Sequence, residues 1–191
     1  MTEPRVPPGG TRDVGFVGWA IARIAGRAGG TTPPNLFLTL GRHPKLFRGW
    51  LRFAGRLMPG GKLPRRETEL VILRVAHLRG CRYEFDHHVH LSRRAGVGPA
   101  EVERVMQGPQ AVGWSARERA MLNAVDMLHA AQDLDDETWT ALRTHTSERE
   151  AIELLMLAGH YEMLATFIAA LRIQPDARRR NPRGRDRNSR R

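Results

Sequence analysis

Four residues within 67–96 have the types and spacing for proton transfer or thiol chemistry: Glu69, the chain's only cysteine Cys81, Glu84 and His88. Glu84 lies three residues after Cys81 and His88 seven after it. At about 100° per helical residue these three side chains share one face. Glu69 sits among Leu70, Ile72 and Leu73, where a solvated carboxylate is not expected, and a helix folding back antiparallel brings it to the same face. Two carboxyl groups and an imidazole in a dry pocket can supply both acid and base. That chemistry serves the decarboxylation of an unsaturated lactone acid or an isomerisation beside a carbonyl. Cys81 offers a second chemistry. At a helix N-terminus its thiolate is favoured and His88 could take its proton, while a charged Glu84 opposes ionisation. One cysteine cannot resolve its own sulfenic acid, so a two-thiol peroxidase cycle is excluded and a one-cysteine cycle with an external thiol stays open.

Other residues fill supporting parts. The N–H groups at 81–83 are expected to hold an anionic group of the substrate, and Tyr83, His160 and Tyr161 to wall the pocket with Trp50 or Phe53. His87 and His90 are three apart, and Glu84-x-x-His87 has the carboxylate-bridged di-iron spacing, but no second copy of that motif exists. No metal is expected, and these histidines read as exposed or capping. No glycine-rich loop follows a strand, so no nucleotide or other cofactor is expected. The plain alternative is a satisfied Glu–His pair and a small core thiol in a non-catalytic oligomeric binding protein.

The elements that must position these groups are all helical. Gly80 stops the helix carrying Glu69, which Pro64 begins, and Cys81 opens the next. The apolar residues Leu70, Val71, Leu73 and Ala76 give the first of these helices a buried side. Upstream, residues 35–40 form a short helix and Pro44 starts one running to Leu57. Downstream, Gly98-Pro99 opens a helix through Met106, and Ser115 with Glu118 caps one to about Ala131. Asp135 caps another through Thr144. Ser147 with Glu150 caps the longest, to about Leu171, which is apolar on nearly every side and reads as a central or interface helix. Near the N-terminus, Phe16, Trp19, Ala20, Ile24 and Ala28 fit a short amphipathic helix. The chain divides into an N-terminal arm at 1–33, one all-α domain at 34–175 and a disordered Arg-rich tail at 176–191.

The spacing Glu69, eleven residues, Cys81-x-x-Glu84-x-x-x-His88 resembles the carboxymuconolactone decarboxylase family, which shares its fold with the alkyl hydroperoxidase D-type peroxidases. The peroxidase motif is Glu-x11-Cys-x-x-Cys-x-x-x-His, so Glu69, Cys81 and His88 match and Glu84 stands at the second cysteine. RETELVILRVAHL, YEFDHHVHLSRRAG, GPQAVGWSARERAML and GHYEML resemble a decarboxylase-like subgroup, across roughly residues 34–175. The resemblance implies an alkyl hydroperoxidase D-like helical bundle that assembles as a trimer or hexamer. It implies acid–base chemistry on a small carboxylated or carbonyl compound, with a thiol-dependent peroxidase as the alternative. Glu69 and His88 would be the proton-transfer pair, Glu84 a second acid or orienter, and Cys81 an auxiliary.

The net charge of +11 suggests nucleic acid until its distribution is considered. Eight arginines and two aspartates at 176–191 contribute six of those charges. Without aromatic stacking residues this tail predicts only weak, salt-dependent polyanion binding. A lone cysteine requires no oxidising compartment. Glu153, His160 and Glu162 interrupt the longest apolar run, so a membrane span is not expected. A cytoplasmic protein with a small-molecule substrate follows as the expectation.

Overall fold

The computed structural model describes residues 3–178. Within them the chain folds into nine α-helices: α1 Thr11–Gly29, α2 Asn35–Leu40, α3 Pro44–Leu57, α4 Arg65–Leu78, α5 Arg82–Ser92, α6 Pro99–Gln107, α7 Ala116–Ala131, α8 Asp136–His145 and α9 Glu148–Leu171. A 3-10 turn at Arg93–Ala95 follows α5. The caps explain the boundaries. The hydroxyls of Ser115 and Ser147 accept from the N–H of Glu118 and Glu150, whose carboxylates bond back to the serine N–H groups. Asp135 caps α8 through Thr138 N–H at 2.8 Å. Gly80, at φ 59°, makes the turn between α4 and α5, and Cys81 is the N-cap residue of α5.

The most enclosed helix is α4. Every residue from Thr68 to Ala76 is buried, because α5, α6, α7 and α9 all pack on this helix. The expected single buried side therefore understates its enclosure. Val71, Ile72 and Val75 join residues of α7, α8 and α9 in one apolar cluster, while Leu70 and Leu73 join Val97, Val105, Trp114 and Leu122 in a second. Arg74 interrupts this run and is nearly enclosed. It grips Asp126 with two bonds of 2.6 and 2.7 Å and donates to the carbonyls of Val105 and Met106, which end α6.

By length and mean hydropathy, α9 is the one helix among the described residues able to cross a membrane. In this fold it packs on α3, α4, α7 and α8. Its Glu153 accepts from the N–H groups of Lys62 and Leu63, and its Glu162 meets Arg79 and His129. Ile152, Met156 and Met163 form an exposed stripe along it, so it is not buried on all sides.

The N-terminal helix is present, with part of its apolar face turned outward. Phe16 and Ile24 are 76% and 64% exposed, while Val14, Ala22, Gly26 and Gly29 face the domain. Close backbone approach decides this. A Cβ on Gly26 would lie 2.4 Å from the Thr32 carbonyl oxygen, and one on Gly29 would lie 2.8 Å from the His87 ring. The ordered chain also continues past the expected boundary at Pro175. Asp176 accepts from Asn35 N–H and from the Tyr83 hydroxyl, Ala177 O accepts from Thr32 N–H, and Thr31 bridges Arg178. The disorder expected for the remainder of the tail lies outside the described residues. Gly26→Ala is expected to lower stability by about 1–3 kcal/mol, because the carbonyl it meets belongs to the backbone and cannot rotate away. A urea titration of wild type and variant measures it.

Candidate active site

The antiparallel α4–α5 pair brings Glu69 and His88 together. His88 Nδ1 lies 2.7 Å from Glu69 Oε2, and the Glu69 side chain is fully buried. Arg65, one turn before Glu69, places Nη2 2.5 Å from Oε1 in an ion pair. A carboxylate enclosed in apolar packing needs such partners to stay ionised. The Glu69 carboxyl orients the His88 ring through Nδ1, so that Nε2 is the nitrogen outside this contact.

A cavity of about 230 Å³ lies beside this pair, between α2, α3, α5 and α9. Glu84, His87, His88 and Leu91 line it from α5, the i, i+3, i+4, i+7 positions of a single helical stripe. From α9 come His160, Tyr161 and Leu164, and from α3 Trp50, Leu51, Ala54, Gly55 and Leu57. Aromatic rings run across the wall. Trp50 stacks near His160 with centroids 6.1 Å apart, His160 meets Tyr161 edge-on at 5.3 Å, and Tyr161 meets His88 at 5.2 Å.

Burial governs the charges here. Glu84 lies in the first turn of α5, where the helix dipole favours an anion by at most about 2 kcal/mol. Among the described residues no cation or donor offsets its desolvation, which pushes its carboxyl up to about 8. At neutral pH it is mostly uncharged. Desolvation also pushes His160 and His87 down to about 4, with the neighbouring His88 adding to the fall at His87. Both are neutral at pH 7. His87 is thus half-buried in the cavity wall rather than exposed or capping. Among the described residues, no group of three or more His, Cys, Asp and Glu side chains is arranged to hold a metal ion.

Cys81 stands apart from the cavity. It is 8% exposed, packs with Leu36, Ala165, Ile168 and Ile173, and does not line the hollow that Glu84 and His88 share. Burial pushes its thiol up to about 11, although the N–H groups of Glu84 and Tyr83 favour the thiolate. Glu69 likewise stands behind His88 rather than on the cavity wall. The expected anion cradle at 81–83 is largely occupied: Cys81 N–H donates to Ala76 O and Arg82 N–H to Gly80 O. Tyr83 lines the cavity, but its hydroxyl is held by Asp176. Sequence reasoning missed Arg65 and gave His87 no place in the cavity wall. The i, i+4 spacing of Arg65 to Glu69 was the available signal for the first.

The carboxymuconolactone decarboxylase family model matches residues 44–127, from the start of α3 through most of α7, including Glu69, Cys81, Glu84 and His88. Comparison with curated proteins gives no match. Among solved structures, a peroxidase-related protein from Silicibacter sp. TM1040 is similar with a TM-score of 0.76 at 18% identity, over 92% of this chain and 95% of that one. The alkylhydroperoxidase core protein from Ralstonia eutropha JMP134, also peroxidase-related, is similar with a TM-score of 0.76 at 21% identity, over 92% and 93%. The debrominase Bmp8 is similar with a TM-score of 0.74 at 22% identity, over 89% and 91%. At these identities the likeness is one of fold. Residues 44–127 are similar to the carboxymuconolactone decarboxylase family, and the chain shares the fold of these solved structures.

Proposed function

We propose that this protein is an enzyme of acid–base chemistry, a decarboxylase or isomerase acting on a small carboxylated or carbonyl compound. The observation that carries this reading is the pairing in one cavity of a carboxylate-held imidazole, Glu69–His88, with a carboxyl that keeps its proton, Glu84. Two titratable groups driven apart by their surroundings supply a base and an acid at the same pH. In an isomerisation, His88 Nε2 takes the proton from the carbon beside the carbonyl. The C–H electron pair becomes a C=C bond, and the oxygen takes the Glu84 proton to give a dienol. Return of the His88 proton at the far carbon, and of the hydroxyl proton to Glu84, completes the shift with no net change in either residue. Glu69 keeps the imidazole in the required tautomer and stabilises its protonated form.

The test is deuterium exchange from solvent into a panel of small ketones, lactones and unsaturated acids. On any compound that turns over, His88→Ala and Glu69→Gln are each expected to lose about two orders of magnitude or more. Cys81→Ser should keep most of the activity. Wild-type levels in both proton-transfer variants would rule the mechanism out.

A second reading, a one-cysteine peroxidase, is favoured by the names of the peroxidase-related neighbours. The buried thiol and its raised pKa weigh against it, because the thiolate is the reacting form. Slow or absent capture of a Cys81 sulfenic acid by a dimedone-type trap, after stoichiometric peroxide, is the outcome the acid–base reading expects.

Glu84 gives the activity and the stability a shared pH signature. Its proton is held more tightly in the folded chain than in the unfolded one, where the ordinary value is 4.5. Its contribution to stability is therefore complete below about pH 4.5 and lost as pH rises toward about 8. Glu84→Gln is expected to melt higher than wild type at pH 9 and to show no such gain at pH 4. In wild type, kcat/KM should fall above about pH 8 as the acid loses its proton.

We also propose a homo-oligomer, a trimer or hexamer, supported by the exposed stripe Ile152, Met156 and Met163 on α9. Sedimentation equilibrium should report a multiple of the chain mass, and Met163→Glu should reduce it.

A further inference from the structure

The cavity wall carries more unused hydrogen-bonding capacity than a closed core tolerates. Trp50 Nε1, Glu84 Oε2 and His160 Nδ1 are each buried with no partner among the described residues. Tyr161 stands beside them on the same wall. All four residues line the cavity. Buried polar atoms are ordinarily paired, and an unpaired one costs its full desolvation. Three on one wall, around a hollow otherwise lined by residues such as Leu36, Phe37, Leu51 and Leu164, mark a surface shaped for a polar group that arrives with a ligand.

The chemistry of those atoms says what kind of group. The indole N–H only donates, the phenol donates readily, and an uncharged carboxyl donates through its hydroxyl. Donors outnumber acceptors, as the oxygen of a carbonyl requires. Among the described residues no lysine or arginine lines the cavity, and burial keeps His87 and His160 neutral. Arg65, the cation beside the dyad, is paired with Glu69 and is not part of the wall, although its Nη1 lacks a hydrogen bond. An entering carboxylate would lose its water and gain no counter-charge from these residues.

We infer that the substrate is an uncharged carbonyl compound, a ketone, ester or lactone without a free carboxylate, whose oxygen is read by Trp50 and Glu84 with His160 and Tyr161 beside them. The inference rests on the acid–base reading for its chemistry and narrows it: an enolisation or double-bond shift is favoured over loss of a carboxylate as carbon dioxide. Trp50 and His160 become residues that select the substrate by matching its polarity.

Two nearly isosteric probes test it, acetophenone and benzoate, which differ by a methyl group in place of a charged oxygen. Binding of each to the full chain at pH 7 is measured by saturation-transfer NMR and calorimetry. Acetophenone is expected to bind at least about thirtyfold more tightly than benzoate. Trp50→Phe, which keeps a ring and removes the donor, should weaken the ketone about five- to tenfold and leave benzoate unchanged. Equal affinities, tighter binding of benzoate through recruitment of Arg65, or no saturable binding of either probe would overturn the assignment. The comparison in wild type stands whatever the stability of the variant. Binding is read without turnover, so the two claims can fail separately. A ketone preference in a protein that exchanges no protons sinks the acid–base reading alone. Proton transfer on substrates bound equally well as carboxylates sinks this one alone.

Discussion

The buried contact between Glu69 and His88 is the constraint on which the rest of the structure depends. A carboxylate with no exposed surface is tolerated only where hydrogen bonds and a counter-charge replace the water it has lost. Here the imidazole supplies one and Arg65 the other. That requirement fixes the relation of α4 to α5, since the tight turn at Gly80 must return the chain so that position 88 faces position 69. Once the two helices are so placed, the stripe at 84, 87, 88 and 91 can only look into the space left under α3 and α9. The cavity follows from the pairing.

The same low dielectric acts in opposite senses on the two glutamates. Glu69 has partners and can hold its charge, whereas Glu84 has none among the described residues and keeps its proton. Neither residue is unusual by type, and the difference lies in what surrounds each. Cys81, three residues before Glu84, receives the favourable end of α5, yet its enclosure by Leu36, Ala165 and Ile168 outweighs it. A helix N-terminus is too small an effect to ionise a thiol that apolar neighbours have sealed off.

Much of this was legible in the sequence, for local reasons. Ser115, Asp135 and Ser147 announce their helices because a cap is a contact within four residues, and Glu84 and His88 fall on one face because helical period requires it. The inward turn of Glu69 could be read from its apolar neighbours. What could not be read was set by distant partners. The outward face of Phe16 and Ile24 follows from Gly26 resting on the Thr32 carbonyl, a contact made by the absence of a side chain. α4 is enclosed more fully than α9, the most apolar helix, because enclosure depends on how many neighbours a helix has, and composition does not report that. The separation of Cys81 from the cavity and the bond from Tyr83 to Asp176 join residues far apart along the chain or in different layers, with no local signal.

The account reduces to a protonated carboxyl and a carboxylate-held imidazole sharing one enclosed space at neutral pH. A carbon-13 NMR titration of the Glu84 side-chain carboxyl, assigned by its loss in Glu84→Gln, addresses this most directly. The account predicts a midpoint near 8, with the protonated form dominant at pH 7. A midpoint in the ordinary range near 4.5 would leave two charged carboxylates beside His88 and no acid in the cavity, and would contradict it.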